Sequence, residues 1–246
     1  MARYTVEAVV LKFTNYKDAD KIFSLFTREK GKISATAKGV RKISSRRGGN
    51  LDTLNHISVG ITEGENQKYK IITEVKTLDS FKNLKKSLEN SVKGFYIAEL
   101  IHRLLDESQH NEAVFDLLVS NLKKLDTHLN NEVSRINAFE ISLLQNLGYG
   151  LYLDKCAITG RKYDGSWESV KFNPVLGGFV SEPSASGLQL DKSTADLLFA
   201  LKTKTRIGKT LLENSSAVKE ADRILKMYIR EVLEGSLKTE RVFGSL

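Results

Sequence analysis

Apolar and polar positions alternate over short stretches in the first third of the chain. Thr5 to Phe13 (TVEAVVLKF) puts Val6, Ala8 and Val10 on one face of an extended segment and Val9, Leu11 and Phe13 on the other. Lys21 to Thr27 (KIFSLFT) alternates in the same way, and Lys32 to Ala37 (KISATA) sets Ile33, Ala35 and Ala37 on one side. The polar Arg28-Glu29-Lys30-Gly31 between these two predicts a hairpin, with the glycine free to take positive φ. His56 to Thr62 and Tyr69 to Leu78, joined by Glu63-Gly64-Glu65-Asn66, predict a fourth and a fifth strand. Five short strands in about 80 residues suit a small closed barrel, because closure removes exposed edges. The pattern alone also allows an SH3-like barrel or an open sandwich.

After Asp79 the period becomes helical. Phe81 to Asp106 carries Leu84, Leu88, Val92, Phe95, Leu100, Ile101 and Leu104 at helical spacing, and Val114 to Leu129 repeats Leu117, Leu118, Leu122 and Leu125. Val133 to Leu147 stops at Gly148, a residue suited to the position just past a helix end. Residues 150–190 are irregular and rich in Gly, Ser, Asp and Pro, and helical spacing resumes over Asp191 to Lys202 and Val218 to Leu233. The expected organisation is α+β and multidomain: a barrel over 1–80, then an all-helical domain over 81–246 with a loop-rich insert at about 150–190.

Composition changes this picture in one respect. At 246 residues, 41% hydrophobic and 28% charged, the chain has an ordinary globular make-up. No apolar run approaches the roughly 18 residues of a membrane span. The N-terminal MARYTVE places Glu7 where a signal peptide needs apolar residues, and one cysteine, Cys156, closes no intramolecular disulfide. An intracellular protein is expected. The net charge of +8 is uneven: residues 1–80 hold 15 Lys and Arg against 9 acids. Between Arg28 and Arg47 stand eight bases and the single acid Glu29. Lys38-Gly39-Val40-Arg41-Lys42-Ile43-Ser44-Ser45-Arg46-Arg47-Gly48-Gly49 reads as a flexible basic loop leaving the third strand. Bases on such a loop follow a phosphate backbone without reading sequence. Arg28, Lys32, Lys38, Arg41, Lys42, Arg46 and Arg47 are therefore the expected nucleic-acid contacts. Tyr4, Phe13, Tyr16, Phe23, Phe26 and Tyr69 are available for base stacking, but each is expected first as a packing residue.

Several strings carry a resemblance. EAVVLK with Tyr16, then DADKIFSLFTREKGKISATAKGVR, is similar to the N-terminal barrel of the bacterial RecO family of recombination mediators. FEISLLQNLGY followed by a cysteine, the later GGF, and ILKMYIREVLEGSLKT continue the likeness in order over nearly the whole chain. The resemblance implies an oligonucleotide-binding (OB) barrel followed by a helical domain. It also implies binding of single- and double-stranded DNA, annealing of complementary strands, and, with RecR, loading of RecA onto strands coated by single-strand-binding protein. A cytoplasmic, nucleoid-associated place in a bacterium follows. For the acidic, aromatic-ended tail of single-strand-binding protein, Lys123, Lys124 and Arg135 are the expected basic rim.

One departure stands out. Many relatives carry zinc on two C-x-x-C pairs, which read here Cys156-Ala157-Ile158-Thr159 and Ser181-Glu182-Pro183-Ser184. Three of the four thiolates are missing and hydroxyls do not replace them, so the finger is expected to be vestigial and the chain free of metal and cofactor. No catalytic motif competes. Gly208-Lys209-Thr210 has Thr203 where a P-loop needs its first glycine, and His56, His102, His110 and His128 form no metal-binding pair. A non-enzymatic DNA-binding mediator is the leading expectation. An OB-fold RNA-binding factor without annealing activity, and an enzyme using the 150–190 insert, are the alternatives.

Overall fold

The structure is a computed structural model and describes residues 2–43, 45, 47–64, 70–127, 132–205 and 208–243. The chain divides into two compact units, residues 1–128 with 237–246, and residues 129–236.

In the first unit, β1 (Ala2–Tyr16), β2 (Asp20–Thr27), β3 (Gly31–Ala37), β4 (His56–Glu63) and β5 (Lys70–Asp79) close into a barrel of order β1-β2-β3-β5-β4. This is the expected OB-type barrel. β1 is longer than its alternating core because it serves two partners. Ala2 to Val9 pair antiparallel with β4, Ala8 to Tyr16 pair with β2, and the register shifts between Val10 and Lys12. Its double apolar pattern has a physical reason. Val6, Ala8 and Val10 join Phe23, Leu25, Ile33, Val59 and Ile72 inside the barrel, while Val9 and Leu11 are buried on the opposite face.

That opposite face is covered by helices. The helix expected over 81–106 is two, α1 (Lys82–Lys86) and α2 (Leu88–Leu104). The break falls at Ser87, whose extended backbone lets its side chain accept from the Asn90 N–H and cap α2. α2 packs on β1, and α3 (Glu112–Thr127) packs on α1 and α2. Phe115 of α3 meets Phe26 of β2 with ring centroids 5.7 Å apart. The β2–β3 turn needs its glycine: Gly31 has φ +67, and a Cβ there would lie 2.3 Å from the Gln109 carbonyl oxygen.

The second unit opens with α4 (Glu132–Asn146), ended as expected near Gly148, which has φ +87. The insert that reads as irregular contains four short strands: β6 (Tyr152–Cys156), β7 (Lys171–Asn173), β8 (Gly178–Val180) and β9 (Leu188–Gln189), in the order β6-β8-β7-β9. Aromatic rings hold this small sheet. Tyr163 lies 5.3 Å from both Trp167 and Phe179 and 5.5 Å from Phe199. α5 (Lys192–Thr203), α6 (Lys209–Glu213) and α7 (Ser215–Val232) complete the unit, with α7 against α4 and α5. The last element, α8 (Lys238–Phe243), belongs to the first unit and packs on α2. Among the described residues no helix is long and apolar enough to cross a membrane.

Candidate nucleic-acid interface

The basic segment after β3 is less free than its composition implies. Val40 and Leu51 are buried in the barrel core, so both flanks are pinned. Gly39 N–H donates to Asp20 Oδ1 at 2.7 Å, and Arg41 N–H donates to the Ala19 carbonyl at 3.0 Å. The segment therefore lies against the β1–β2 turn.

Its cations fall into distinct groups. Lys38 and Lys42 are exposed, and Arg41, also exposed, donates from Nη1 to the Asp18 carbonyl at 3.1 Å. Arg47 is half-buried and ties the segment down, with Nη1 donating to the Ile72 carbonyl at 2.7 Å and Nη2 to the Lys38 carbonyl at 2.8 Å. Arg46 lies outside the described residues. Arg28 and Lys32 have internal roles. Arg28 pairs with Glu7 at 3.0 Å, Glu112 at 3.1 Å and Asp116 at 2.8 Å, and stacks over the Phe115 ring at 4.7 Å. Burial pushes the Glu7 carboxyl up, but hydrogen bonds from Arg28 and His56 outweigh it and hold the group below its ordinary value. Lys32 Nζ donates to the His102 and Leu105 carbonyls at the end of α2. Burial lowers its pKa against the pull of Asp106 and Glu107. Three carboxylates around Arg28 and two carbonyls on Lys32 leave little capacity for phosphate.

The aromatic positions also separate. Phe23 and Phe26 are core, and Tyr4 is half-buried with its hydroxyl on Glu63 Oε1 at 3.1 Å. Tyr69 lies outside the described residues. Phe13 and Tyr16 are exposed at 39% and 43% on the free end of β1. Lys21 Nζ sits 3.7 Å from the Phe13 ring centroid and Lys17 Nζ 5.3 Å from that of Tyr16. Arg41 reaches the same turn. The tip of the β1–β2 hairpin and the basic segment thus form one surface with exposed Lys17, Lys38, Arg41 and Lys42 beside two exposed rings. Lys17 and Lys21 are the members of this surface that the sequence did not single out. The local signal was the polar Asn15-Tyr16-Lys17-Asp18 run, which marks where burial stops.

Lys123 and Lys124 are exposed on α3 and line a hollow of about 540 Å³ together with Arg28, Asp116 and His56. Arg135 is on α4 in the second unit, and its buried Nη1 has no hydrogen-bond partner among the described residues.

The segments 156–159 and 181–184, expected as a vestigial finger, show whether their own atoms suit zinc. Cys156 is buried and its Sγ lies 3.5 Å from Glu182 Oε2. Burial raises the thiol pKa, but hydrogen bonds from Thr159, Ile158 and Ser181 outweigh it and leave the pKa below its ordinary value. The two segments therefore meet, through one sulfur, two hydroxyls and one carboxylate. A structural zinc site needs four soft or imidazole donors in a tetrahedron. These residues do not fit it, and no group of three His, Cys, Asp or Glu able to hold a metal occurs among the described residues.

Comparison with known proteins agrees with this architecture. The family model described as Recombination protein O N terminal matches residues 1–81, and that described as Recombination protein O C terminal matches residues 86–241. A protein of Symbiobacterium thermophilum named DNA repair protein RecO is 30% identical over 262 residues, covering 100% of this chain and 98% of the relative. The protein of that name from Caldanaerobacter subterraneus subsp. tengcongensis is 32% identical over 240 residues, with coverage of 95% and 94%. Its counterpart in Thermoanaerobacter sp. is 30% identical over 246 residues, with coverage of 98% and 96%. With the OB barrel, the helical region and both family models in register along its length, the chain belongs to the RecO family of recombination proteins.

Proposed function

We propose that this RecO-family chain acts in recombinational DNA repair as a non-enzymatic mediator that binds single- and double-stranded DNA and anneals complementary strands. The observation that carries the reading is the convergence of exposed Lys38, Arg41 and Lys42 with Phe13 and Tyr16 at one end of a closed OB barrel. Lysines follow phosphates without sequence preference, and exposed rings accept any base. Annealing follows from the same chemistry, because two polyanions approach only when their charge is screened. Together with RecR, the protein loads RecA onto strands coated by single-strand-binding protein. The acidic tail of that protein docks at Lys123 and Lys124 in the α3 hollow. The protein works without zinc.

The test is annealing of complementary oligonucleotides, bare and then coated with single-strand-binding protein. Faster annealing on both substrates, without turnover of any nucleotide, is expected. A strong preference for RNA with no annealing would replace the reading by an RNA-binding one.

A further inference from the structure

A groove on the first unit runs between the free end of β1 and the exposed side of α2. It has a volume of about 370 Å³, a floor that includes buried Leu11 and Ala98, and walls that include the partly exposed rings of Phe13 and Phe95. Lys12, Arg103 and Lys238 stand on its rim, all exposed and none in an ion pair among the described residues. The one acid in the groove, Glu99, faces the start of α8. It accepts from Lys238 N–H at 2.7 Å and from Thr239 N–H and Oγ1 at 2.8 and 2.7 Å. Burial raises the Glu99 pKa, but those bonds keep it below the ordinary value. The groove is apolar within and cationic at its mouth.

A second hollow of about 360 Å³ adjoins it on the outer face of β1 to β3 and shares Lys12 and His102 with it. Hydroxyls of Thr14, Ser24 and Ser34 line that hollow, and His102 Nδ1 lies 3.1 Å from Ser24 Oγ. Burial, then Lys12, Lys32 and Arg103, push His102 down to about 4, so the imidazole stays neutral in a field already crowded with positive charge. Two lysines, Lys12 and Lys32, line the hollow against one carboxylate, Glu107. The second and third strands of an OB barrel are also where this fold receives oligonucleotides.

We infer that the β1–α2 groove is a nucleotide subsite for single-stranded DNA. An unpaired base enters between Phe13 and Phe95, and its flanking phosphates lie on Lys12 at the hydroxyl-lined hollow and on Arg103 and Lys238 at the rim. The inference rests on the DNA-binding reading above and adds to it a place where the two strands of a duplex are told from one. A paired base is stacked within its helix and cannot enter, whereas backbone contacts at Lys38 and Lys42 serve both forms. The groove thereby biases the protein toward the unpaired strands that annealing requires.

The experiment measures affinity for single-stranded, double-stranded and abasic oligonucleotides with the full chain and with Phe13→Ala, Phe95→Ala and Phe95→Trp. Both rings are more than a third exposed, but Phe13 touches the core ring of Phe23 with centroids 5.8 Å apart. Phe95→Ala is therefore the variant that spares the barrel core, and Phe13→Ala is read only after its thermal transition is matched to wild type. Loss of one stacked base should weaken single-strand binding about 5- to 10-fold in each alanine variant. Duplex and abasic binding should stay unchanged in Phe95→Ala, and Phe95→Trp should restore the single-strand affinity. A single strand carrying a photoreactive pyrimidine should crosslink to Phe13 or Phe95. Wild-type protein that binds no single strand would overturn the broader reading. Wild-type protein that binds, with Phe13→Ala and Phe95→Ala unaffected, would overturn the subsite alone. Capture of an acidic peptide by the groove, with single-strand affinity unchanged in the variants, would do the same.

Discussion

Replacing Arg47 by Ala should act on folding, whereas replacing Lys38 and Lys42 should act on DNA, although all three residues belong to one basic run. Arg47 makes two charge-assisted hydrogen bonds, to the carbonyls of Ile72 at 2.7 Å and Lys38 at 2.8 Å. The first is half-buried and belongs to a core strand. A bond of this kind is worth about 1.5–3 kcal/mol when fully shielded. The second is exposed and adds almost nothing. Allowing for partial solvent access, Arg47→Ala should lose about 1–2 kcal/mol, which moves a urea midpoint down by about 0.5–1 M. Lys38 and Lys42 are exposed, and their joint removal should change stability by less than about 0.5 kcal/mol. At roughly 0.7 per phosphate, that double variant should flatten the log–log salt slope for single-stranded DNA by about 1.4. Urea titration followed by circular dichroism and anisotropy across a salt series read the two effects separately. Equal salt slopes for Arg47→Ala and the double lysine variant, with unchanged stability in both, would refute the division of the loop into structural and phosphate-binding cations.

Three further outcomes are expected. Gly31→Ala should destabilise the first unit by more than about 2 kcal/mol, because the residue has φ +67 and its Cβ would collide with the Gln109 carbonyl at 2.3 Å; a wild-type thermal transition would contradict this. His102 sits at about 4 in the folded chain against an ordinary 6.5, so the unfolded state binds the extra proton between those values. Stability should therefore fall as the pH drops from about 6.5 to about 4. After allowance for its half-exposure the loss is about 1–2 kcal/mol, and His102→Gln should abolish that part of the pH dependence. Metal analysis of untagged protein should find far less than one equivalent of zinc, and Cys156→Ser should cost about 1 kcal/mol; stoichiometric zinc surviving dialysis would contradict the reading of the finger.

The barrel was legible because each of its strands is long enough to show a period of two, and because β1 shows apolar residues on both faces, the mark of a strand buried twice. Helical stretches were legible for the same reason, except at Ser87, where a cap divides one periodic run without disturbing its spacing. The sheet of the second unit was not. Its strands run from two to five residues, too short for alternation, and Tyr163, Trp167 and Phe179 stabilise them across distances that no local pattern encodes. At the interface the basic run was visible, but the partners that occupy some of its members were not. Ile72 lies 25 residues from Arg47 and Glu112 lies 84 from Arg28. Phe13 continues the apolar pattern of β1 and so reads as core. It is exposed because that end of the strand extends past β4 and pairs with β2 alone.

The most direct test of the account is the annealing rate of complementary strands coated with single-strand-binding protein, measured with the wild-type chain and with Lys38→Glu/Lys42→Glu. The wild type should accelerate annealing above the coated strands alone. The double variant should fold normally and lose most of that acceleration, with high salt reducing the wild type toward the same level. Annealing by the charge-reversed variant at the wild-type rate and with the wild-type salt dependence would contradict the claim that this end of the OB barrel holds the DNA.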